Sequence, residues 1–128
     1  MKDPKDNFIV ERLKSIKFSL KGIWLLISTE SSIKVQVFIA LISIALGFYF
    51  DISSTEWLAQ VLVIGLVLVA ESLNTGIEKL CDFIHPDYHE KIGVIKDISA
   101  GAAGIAAIIS LIVAGIIYFP KIIVLFNS

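Results

Sequence analysis

The sequence is poor in charge and in cysteine, and each shortage excludes a class of protein. Charged residues make up 18% of the 128 residues and hydrophobic residues 56%, whereas soluble domains carry about 25% charged residues. The only cysteine, Cys81, excludes an intramolecular disulfide scaffold. The net charge of −1 gives no field that would attract nucleic acid, so no nucleic-acid partner is expected. The composition therefore predicts a single membrane domain over residues 1–128.

Three apolar stretches are long enough to cross a lipid bilayer. We predict membrane spans at residues 33–50, 57–80 and 97–119, with Pro120 closing the third. The third span begins with the run SAGAAGIAA, whose small residues favour close packing between helices. The expected fold class is therefore an all-α integral membrane protein.

The segment before the first span, residues 1–32, has the spacing of an amphipathic helix. Its apolar residues recur at intervals of three and four, and its lysines fall mainly on the other side. The apolar positions are Leu13, Ile16, Leu20, Ile23, Trp24 and Ile27, and the lysines are Lys14, Lys17 and Lys21. We expect this helix to lie on the membrane surface, with its lysines near anionic headgroups. Packing against the protein's own helices would explain the same pattern.

The distribution of lysine and arginine predicts the orientation in the membrane. Six of the eleven precede the first span and a seventh, Lys34, lies at its start, while residues 51–56, between the first two spans, contain none. Three more lie at or after the end of the second span, and one, Lys121, follows the third. Positive residues stay on the cytoplasmic side. We therefore expect the N-terminus and the second loop inside, and residues 51–56 and the C-terminus outside.

Polar residues interrupt the second span near its predicted cytoplasmic end. Counted from residue 71, five polar residues stand at offsets of 0, 3, 4, 7 and 11 along the chain. On an α-helix, side chains at these offsets share a sector of about 100°. We call them the acidic stripe: Glu71, Asn74, Thr75, Glu78 and Asp82. A carboxylate in hydrocarbon costs roughly 2–3 kcal/mol or more, so the stripe should face other helices, water or a cation.

The acidic stripe suits metal-assisted group transfer. Carboxylates bind Mg²⁺, which takes its other ligands from water and nucleotide phosphates, and a metal-free carboxylate can deprotonate a hydroxyl. Lys96 and Asp97, where the third span begins, would add a phosphate contact and a polar ligand. The same residues could pair helices or conduct ions. On this reasoning alone, a non-enzymatic ion-conducting or assembly subunit is the alternative to an enzyme.

Several motifs resemble one known family, the prokaryotic diacylglycerol kinases, which include undecaprenol kinases. Residues 71–82, ESLNTGIEKLCD, resemble the family signature E-x-x-N-[ST]-A-I-E-x-x-x-D. Lys96-Asp97, with the small run at 99–103, is similar to its K-D-x-x-[AS]-[AG]-A element. Residues 19–22 and the pair Glu30 and Lys34 resemble its N-terminal patterns. The resemblance covers nearly the whole chain, in order.

The resemblance implies a homotrimeric lipid kinase of the bacterial cytoplasmic membrane, with a site shared between neighbouring subunits. Such an enzyme transfers the γ-phosphate of Mg-ATP to the hydroxyl of a membrane lipid. By the same resemblance, Glu71 is the base acting on the lipid hydroxyl, Ser99 also contacts the lipid, and Glu30 and Glu78 bind Mg²⁺. The implied nucleotide-binding residues are Lys21, Asn74, Glu78, Asp82, Lys96 and Asp97.

Some positions depart from the family pattern. Gly76 stands where alanine is usual, and Lys34 replaces the arginine of many members. The run at 100–102 and the closing residues 119–121 look more like the Gram-positive branch, where undecaprenol is often the lipid. The acceptor therefore stays open between diacylglycerol and undecaprenol.

Overall fold

The computed structural model describes residues 3–128, which form four α-helices. Three of them, α2, α3 and α4, are long and apolar enough to cross a membrane. The all-α prediction with three candidate spans is therefore confirmed. The helices are α1 (Phe8–Thr29), α2 (Ser31–Tyr49), α3 (Ser54–Ile84) and α4 (Glu90–Phe126).

A single residue, Glu30, separates α1 from α2. Its extended backbone (φ −99°, ψ 115°) breaks the helical path. The Glu30 N–H still donates to the Leu26 carbonyl at 3.1 Å, and the Glu30 carbonyl accepts from the Lys34 N–H at 3.1 Å. Glu30 therefore completes the end of one helix and the start of the next.

Helix α1 lies outside the bundle and contacts mainly α2. None of its residues is buried, and apolar side chains such as Leu13, Leu20 and Trp24 are exposed. Exposed apolar side chains in such numbers are compatible with a membrane surface. Its amphipathic placement on that surface stays a prediction.

The connection between α2 and α3 packs against α4, and we call this region the turn end. Asp51 takes a left-handed backbone conformation (φ 51°), which short polar residues tolerate. The turn directs Ile52 inward, where it is buried with Ile117 and Tyr118 of α4. On the α2 side, a Cβ at Gly47 would lie 2.6 Å from the Trp57 ring, so only glycine fits there.

The first turn of α3 is held by polar contacts at the same end. Ser53 and Glu56 form a reciprocal capping box, each side chain accepting the other's backbone N–H. Such caps contribute about 1 kcal/mol. Glu56 also accepts a hydrogen bond from Lys121 of α4, with 2.7 Å between Oε2 and Nζ. The two longest helices are therefore joined where α3 begins.

Helix α4 continues through Pro120 to Phe126, so the residue predicted to close the third span does not end the helix. Proline removes one backbone donor, the one that would reach the Ile116 carbonyl. The following residue, Lys121, is anchored to Glu56 and also donates to the Ile117 carbonyl at 3.2 Å. These contacts favour continuation of the helix despite the lost hydrogen bond. Where the membrane span itself ends stays a prediction.

Candidate functional site

Helix α3 carries the acidic stripe without interruption, because it runs unbroken from Ser54 to Ile84. The stripe changes from buried to exposed along its length. Thr75 is buried, Glu71 and Asn74 are half-buried, and Glu78 and Asp82 are exposed. The predicted residues therefore share a helix that leads from the packed interior toward an open surface.

Asn74 is the stripe residue with unused hydrogen-bonding capacity. Its Nδ2 donates a long hydrogen bond of 3.4 Å to Glu78 Oε1. Its Oδ1 is buried and has no hydrogen-bond partner among the described residues. An unsatisfied buried acceptor costs about 1–3 kcal/mol. Asn74 Oδ1 is therefore an oxygen that a bound cation or a donor group would satisfy.

Glu30 reaches α3 at Lys79, the residue after Glu78, although it lies far away in the sequence. Its Oε1 is 2.9 Å from Lys79 Nζ and 3.4 Å from Thr29 Oγ1. Its side chain is 22% exposed, against 68% for Lys79. The structure thus brings the predicted metal ligand Glu30 to the residue next to the other predicted ligand.

Lys79 is the residue of this site that sequence reasoning missed. In the sequence, Lys79 contributes to the predicted membrane orientation as one of the three positive residues at or after the end of the second span. Its position within the acidic segment 71–82, directly after Glu78, was the signal that it could pair with a carboxylate. The partner of Lys79 could not be predicted from neighbouring residues, since Glu30 lies between α1 and α2 and not on α3.

Lys96 of α4 pairs with Asp82 of α3, so two predicted nucleotide-binding residues meet. Their Nζ and Oδ1 atoms are 2.5 Å apart. Asp97 follows Lys96 and is exposed. Lys21 is exposed on α1, and no ion pair joins it to the stripe within residues 3–128. The structure therefore groups Glu30, Lys79, Asp82 and Lys96 into ion pairs and leaves Lys21 apart.

Ser99 lies in the contact between α3 and α4 and is 7% exposed. It lines a groove of about 490 Å³ together with Leu73 and Asn74 of α3 and Ala102 of α4. The rest of the groove is apolar. Its lining gives an apolar chain a surface that runs up to the polar side chain of Asn74.

The donor types at the stripe fit a hard divalent cation. Carboxylate and amide oxygens are the ligands that Mg²⁺ prefers, and the ion usually completes its shell with water and phosphate oxygens. Within residues 3–128, no three His, Cys, Asp or Glu side chains come close enough to hold a metal ion together. The described chain therefore supplies suitable oxygens, but only part of a coordination shell.

Comparison with known proteins identifies the family of this chain. The model of the prokaryotic diacylglycerol kinase family matches residues 17–118, a range that includes every predicted site residue. An undecaprenol kinase of Bacillus subtilis is 34% identical over 122 residues, which cover 94% of this chain and 99% of that protein. A diacylglycerol kinase of Haemophilus influenzae is 28% identical over 90% of this chain and 98% of its own length. A diacylglycerol kinase of Escherichia coli K12 is 27% identical over 78% of this chain and 82% of its own length. The resemblance seen in the motifs is confirmed, and the chain belongs to the prokaryotic diacylglycerol kinase family.

Proposed function

We propose that this protein transfers the γ-phosphate of Mg-ATP to the hydroxyl of a membrane lipid alcohol, with undecaprenol as the preferred acceptor. The observation that carries the proposal is the convergence of Glu30 and Lys96 on the stretch of α3 that holds Glu71, Asn74 and Glu78. Groups suited to a base, a cation and a phosphate thereby share one end of the bundle. Family membership supports the same chemistry.

The preference for undecaprenol rests on the relatives and on two local features. Identity to the undecaprenol kinase is 34%, against 28% and 27% for the two diacylglycerol kinases. The small run at 100–102 and the closing residues 119–121 point the same way. Diacylglycerol is the second acceptor to test.

Glu71 is the proposed general base. It is half-buried on α3, one helical turn from Asn74, where a lipid hydroxyl and a cytosolic nucleotide can meet. The hydroxyl oxygen forms the new bond to the γ-phosphorus, the bond from that phosphorus to the bridging oxygen of ADP breaks, and the hydroxyl proton passes to Glu71. General bases of this kind contribute about 10²–10⁴-fold to the rate.

Glu30 and Glu78 are the proposed ligands of Mg²⁺. When bound, the ion neutralises charge on the phosphates. Asn74 Oδ1, which has no partner within residues 3–128, can accept a hydrogen bond from a water of the ion's shell. Lys79, the residue after Glu78, holds the Glu30 carboxylate through an ion pair with 2.9 Å between Nζ and Oε1. The carboxylate is thus positioned before an ion arrives.

The nucleotide is proposed to lie along the cytoplasmic end of α3 and α4. Lys96 supplies the positive charge for the phosphates, and Asp82 orients it through their ion pair. Asp97 and Lys21, both exposed, complete the proposed set.

The groove between α3 and α4 is the proposed place for the lipid chain. Its apolar lining suits an isoprenoid or acyl chain, and Ser99 and Asn74 are its polar members. A chain in this groove would bring its hydroxyl end to the level of Asn74. Ser99 would then contact the lipid, as the resemblance implies.

We also propose a homotrimer in the bacterial cytoplasmic membrane, with the N-terminus inside and the C-terminus outside. The partial set of metal ligands in one chain supports a site completed by a neighbour. Many large apolar side chains of α2, α3 and α4 are exposed in the single chain, and both lipid and neighbouring subunits would cover them.

The proposal is tested by phosphate transfer with the purified protein in mixed micelles. Radiolabelled ATP and Mg²⁺ are supplied with undecaprenol or with diacylglycerol at equal mole fraction. We expect labelled product with both lipids and a higher rate with undecaprenol. Folded, assembled protein that labels neither lipid would overturn the kinase proposal, and faster labelling of diacylglycerol would overturn the acceptor preference.

A further inference from the structure

A second polar site lies inside the bundle, in a cavity of about 140 Å³ between α2, α3 and α4. Most of its lining is apolar, including Val63, Val67 and Ile117. Its polar members come from all three helices: Gln36, Ser43, Gln60, Ser110 and Tyr118. The proposed kinase chemistry uses none of these residues.

Gln60 and Tyr118 form the polar centre of this cavity. They are 5% and 9% exposed, respectively. The Tyr118 hydroxyl hydrogen-bonds to Gln60 Oε1 and also lies 3.1 Å from the Ser43 carbonyl oxygen. One residue from each helix therefore takes part in a single buried contact.

The amide nitrogen of Gln60 is left without a partner. Its Nε2 is buried and makes no hydrogen bond within residues 3–128. Leaving a buried N–H unpaired costs about 1–3 kcal/mol. A partner that accepts a hydrogen bond from this group would remove that cost. Gln60 precedes Glu71 by 11 residues, or about 16 Å at 1.5 Å per residue, so the acidic stripe does not provide that partner.

We propose that this cavity is a hydration site, which binds water to the unpaired amide of Gln60. The volume exceeds by about tenfold the 10–15 Å³ that one water requires. A bound water accepts a hydrogen bond from Gln60 Nε2 and needs acceptors for its own protons. The hydroxyls of Ser43 and Ser110 donate to carbonyls of their own helices, at 2.9 and 2.7 Å, and keep lone pairs that can accept.

Water suits the site better than a lipid chain. An acyl chain would cover the apolar walls but leave Gln60 Nε2 unpaired, so it would not remove the cost of burying that donor. Water satisfies the donor and links hydroxyls of α2 and α4 to an amide of α3. Polar links of this kind stabilise helix packing within lipid, where the hydrophobic effect does not drive helices together.

The test is magnetisation transfer from water to the Gln60 side-chain amide, measured by NMR on the assembled protein in lipid nanodiscs. We expect a direct cross-peak between water and a Gln60 amide proton, and its loss in Gln60→Leu. The matched control is Leu62→Ala, at an exposed position on the same helix, which should leave the cross-peak unchanged. Cross-peaks from lipid methylenes in place of water, or no water cross-peak, would overturn the proposal.

Tyr118→Phe keeps the test decisive if Gln60→Leu fails to assemble. This variant preserves the Gln60 amide and frees its Oε1 by removing the phenol hydroxyl. We expect the water cross-peak to Gln60 to persist, since the amide nitrogen keeps its protons and its site for water. Disappearance of that cross-peak in folded Tyr118→Phe would contradict the hydration site.

Discussion

The turn end and the acidic stripe differ in how far their ion pairs are exposed to solvent and in whether their buried polar atoms have partners. At the turn end, Glu56 is held by Ser53 and by Lys121, and the two side chains of that ion pair are only 27% and 26% exposed. At the stripe, each ion pair has one strongly exposed partner, Lys79 at 68% and Asp82 at 60%, while their partners Glu30 and Lys96 are 22% and 36% exposed. Asn74 Oδ1 has no partner at all among the described residues.

The difference indicates that contacts at the turn end hold the helices together, whereas polar groups at the acidic stripe can change partners and react. Exposed ion pairs are worth only about 0–1 kcal/mol, so Lys96 can exchange the exposed Asp82 carboxylate for a phosphate at small cost. The buried contacts of Ile52, Ile117 and Tyr118 at the turn end have no such freedom. Substitutions at the stripe should therefore change activity more than stability, and substitutions at the turn end should do the reverse.

Glu71→Gln gives the largest expected effect. The amide cannot accept the hydroxyl proton, so phosphate transfer should fall by about 10²–10⁴-fold with little change in assembly. Initial rates of radiolabelled transfer measure the loss. Glu56→Gln, on the same helix at the turn end, is the control and should keep near-normal rates. An equal loss of phosphate transfer in both variants would contradict the assignment of activity to the stripe and of stability to the turn end.

Lys96→Met should reduce kcat/KM for ATP by about 10–100-fold, since a hydrogen bond to a charged group contributes roughly 1.5–3 kcal/mol. The loss should appear chiefly as a raised KM for ATP in steady-state assays. Lys121→Met removes the corresponding ion pair at the turn end and should leave kcat/KM unchanged. A similar ATP defect in both variants would contradict a nucleotide role for Lys96.

Gly47→Ala should destabilise the turn end by about 1–3 kcal/mol, the usual cost of overpacking, because its Cβ would lie 2.6 Å from the Trp57 ring. The free energy of unfolding in mixed micelles measures this effect. Gly65→Ala is matched, since a Cβ there meets nothing within 4 Å, and should be neutral or stabilising by up to about 1 kcal/mol. If Gly65→Ala is the more destabilising of the two, the close approach of Trp57 does not matter for stability.

Ser53→Ala gives the smallest effect, a loss of about 1 kcal/mol from the capping box. Its unfolding free energy should fall while the specific activity of the folded protein stays constant. Ser54→Ala, at the next position and outside the box, serves as the control. A drop in specific activity for Ser53→Ala without loss of stability would show that the turn end influences the chemistry directly.

The sequence predicted features that depend on local spacing. The three candidate spans follow from the length of the apolar stretches. The shared face of Glu71, Asn74 and Glu78 follows from helical periodicity, and α3 carries that face unbroken. Contacts between distant segments were not predictable in this way. The Glu30–Lys79 and Gln60–Tyr118 pairs each join different elements, and packing, which local patterns do not encode, selects such partners.

Pro120 is a second case in which the local sequence did not predict the structure. Its missing N–H and the clash of its ring with the carbonyl four residues earlier disfavour a helix interior, so a helix end is the expectation from local sequence. Helix α4 nevertheless continues, and Lys121 is fixed there by Glu56, a residue from α3. A contact made across the bundle thus outweighed a local preference.

The single-residue junction at Glu30 has a mechanical consequence. Helix α1 contains 22 residues, so at 1.5 Å per residue it is a lever about 33 Å long. A rotation of about 10° at its base moves the far tip by roughly 6 Å at that length. The Glu30 side chain contacts Lys79 while its backbone forms the base of α1, so a change of angle at this junction would displace the Glu30 carboxylate and the tip of α1 together.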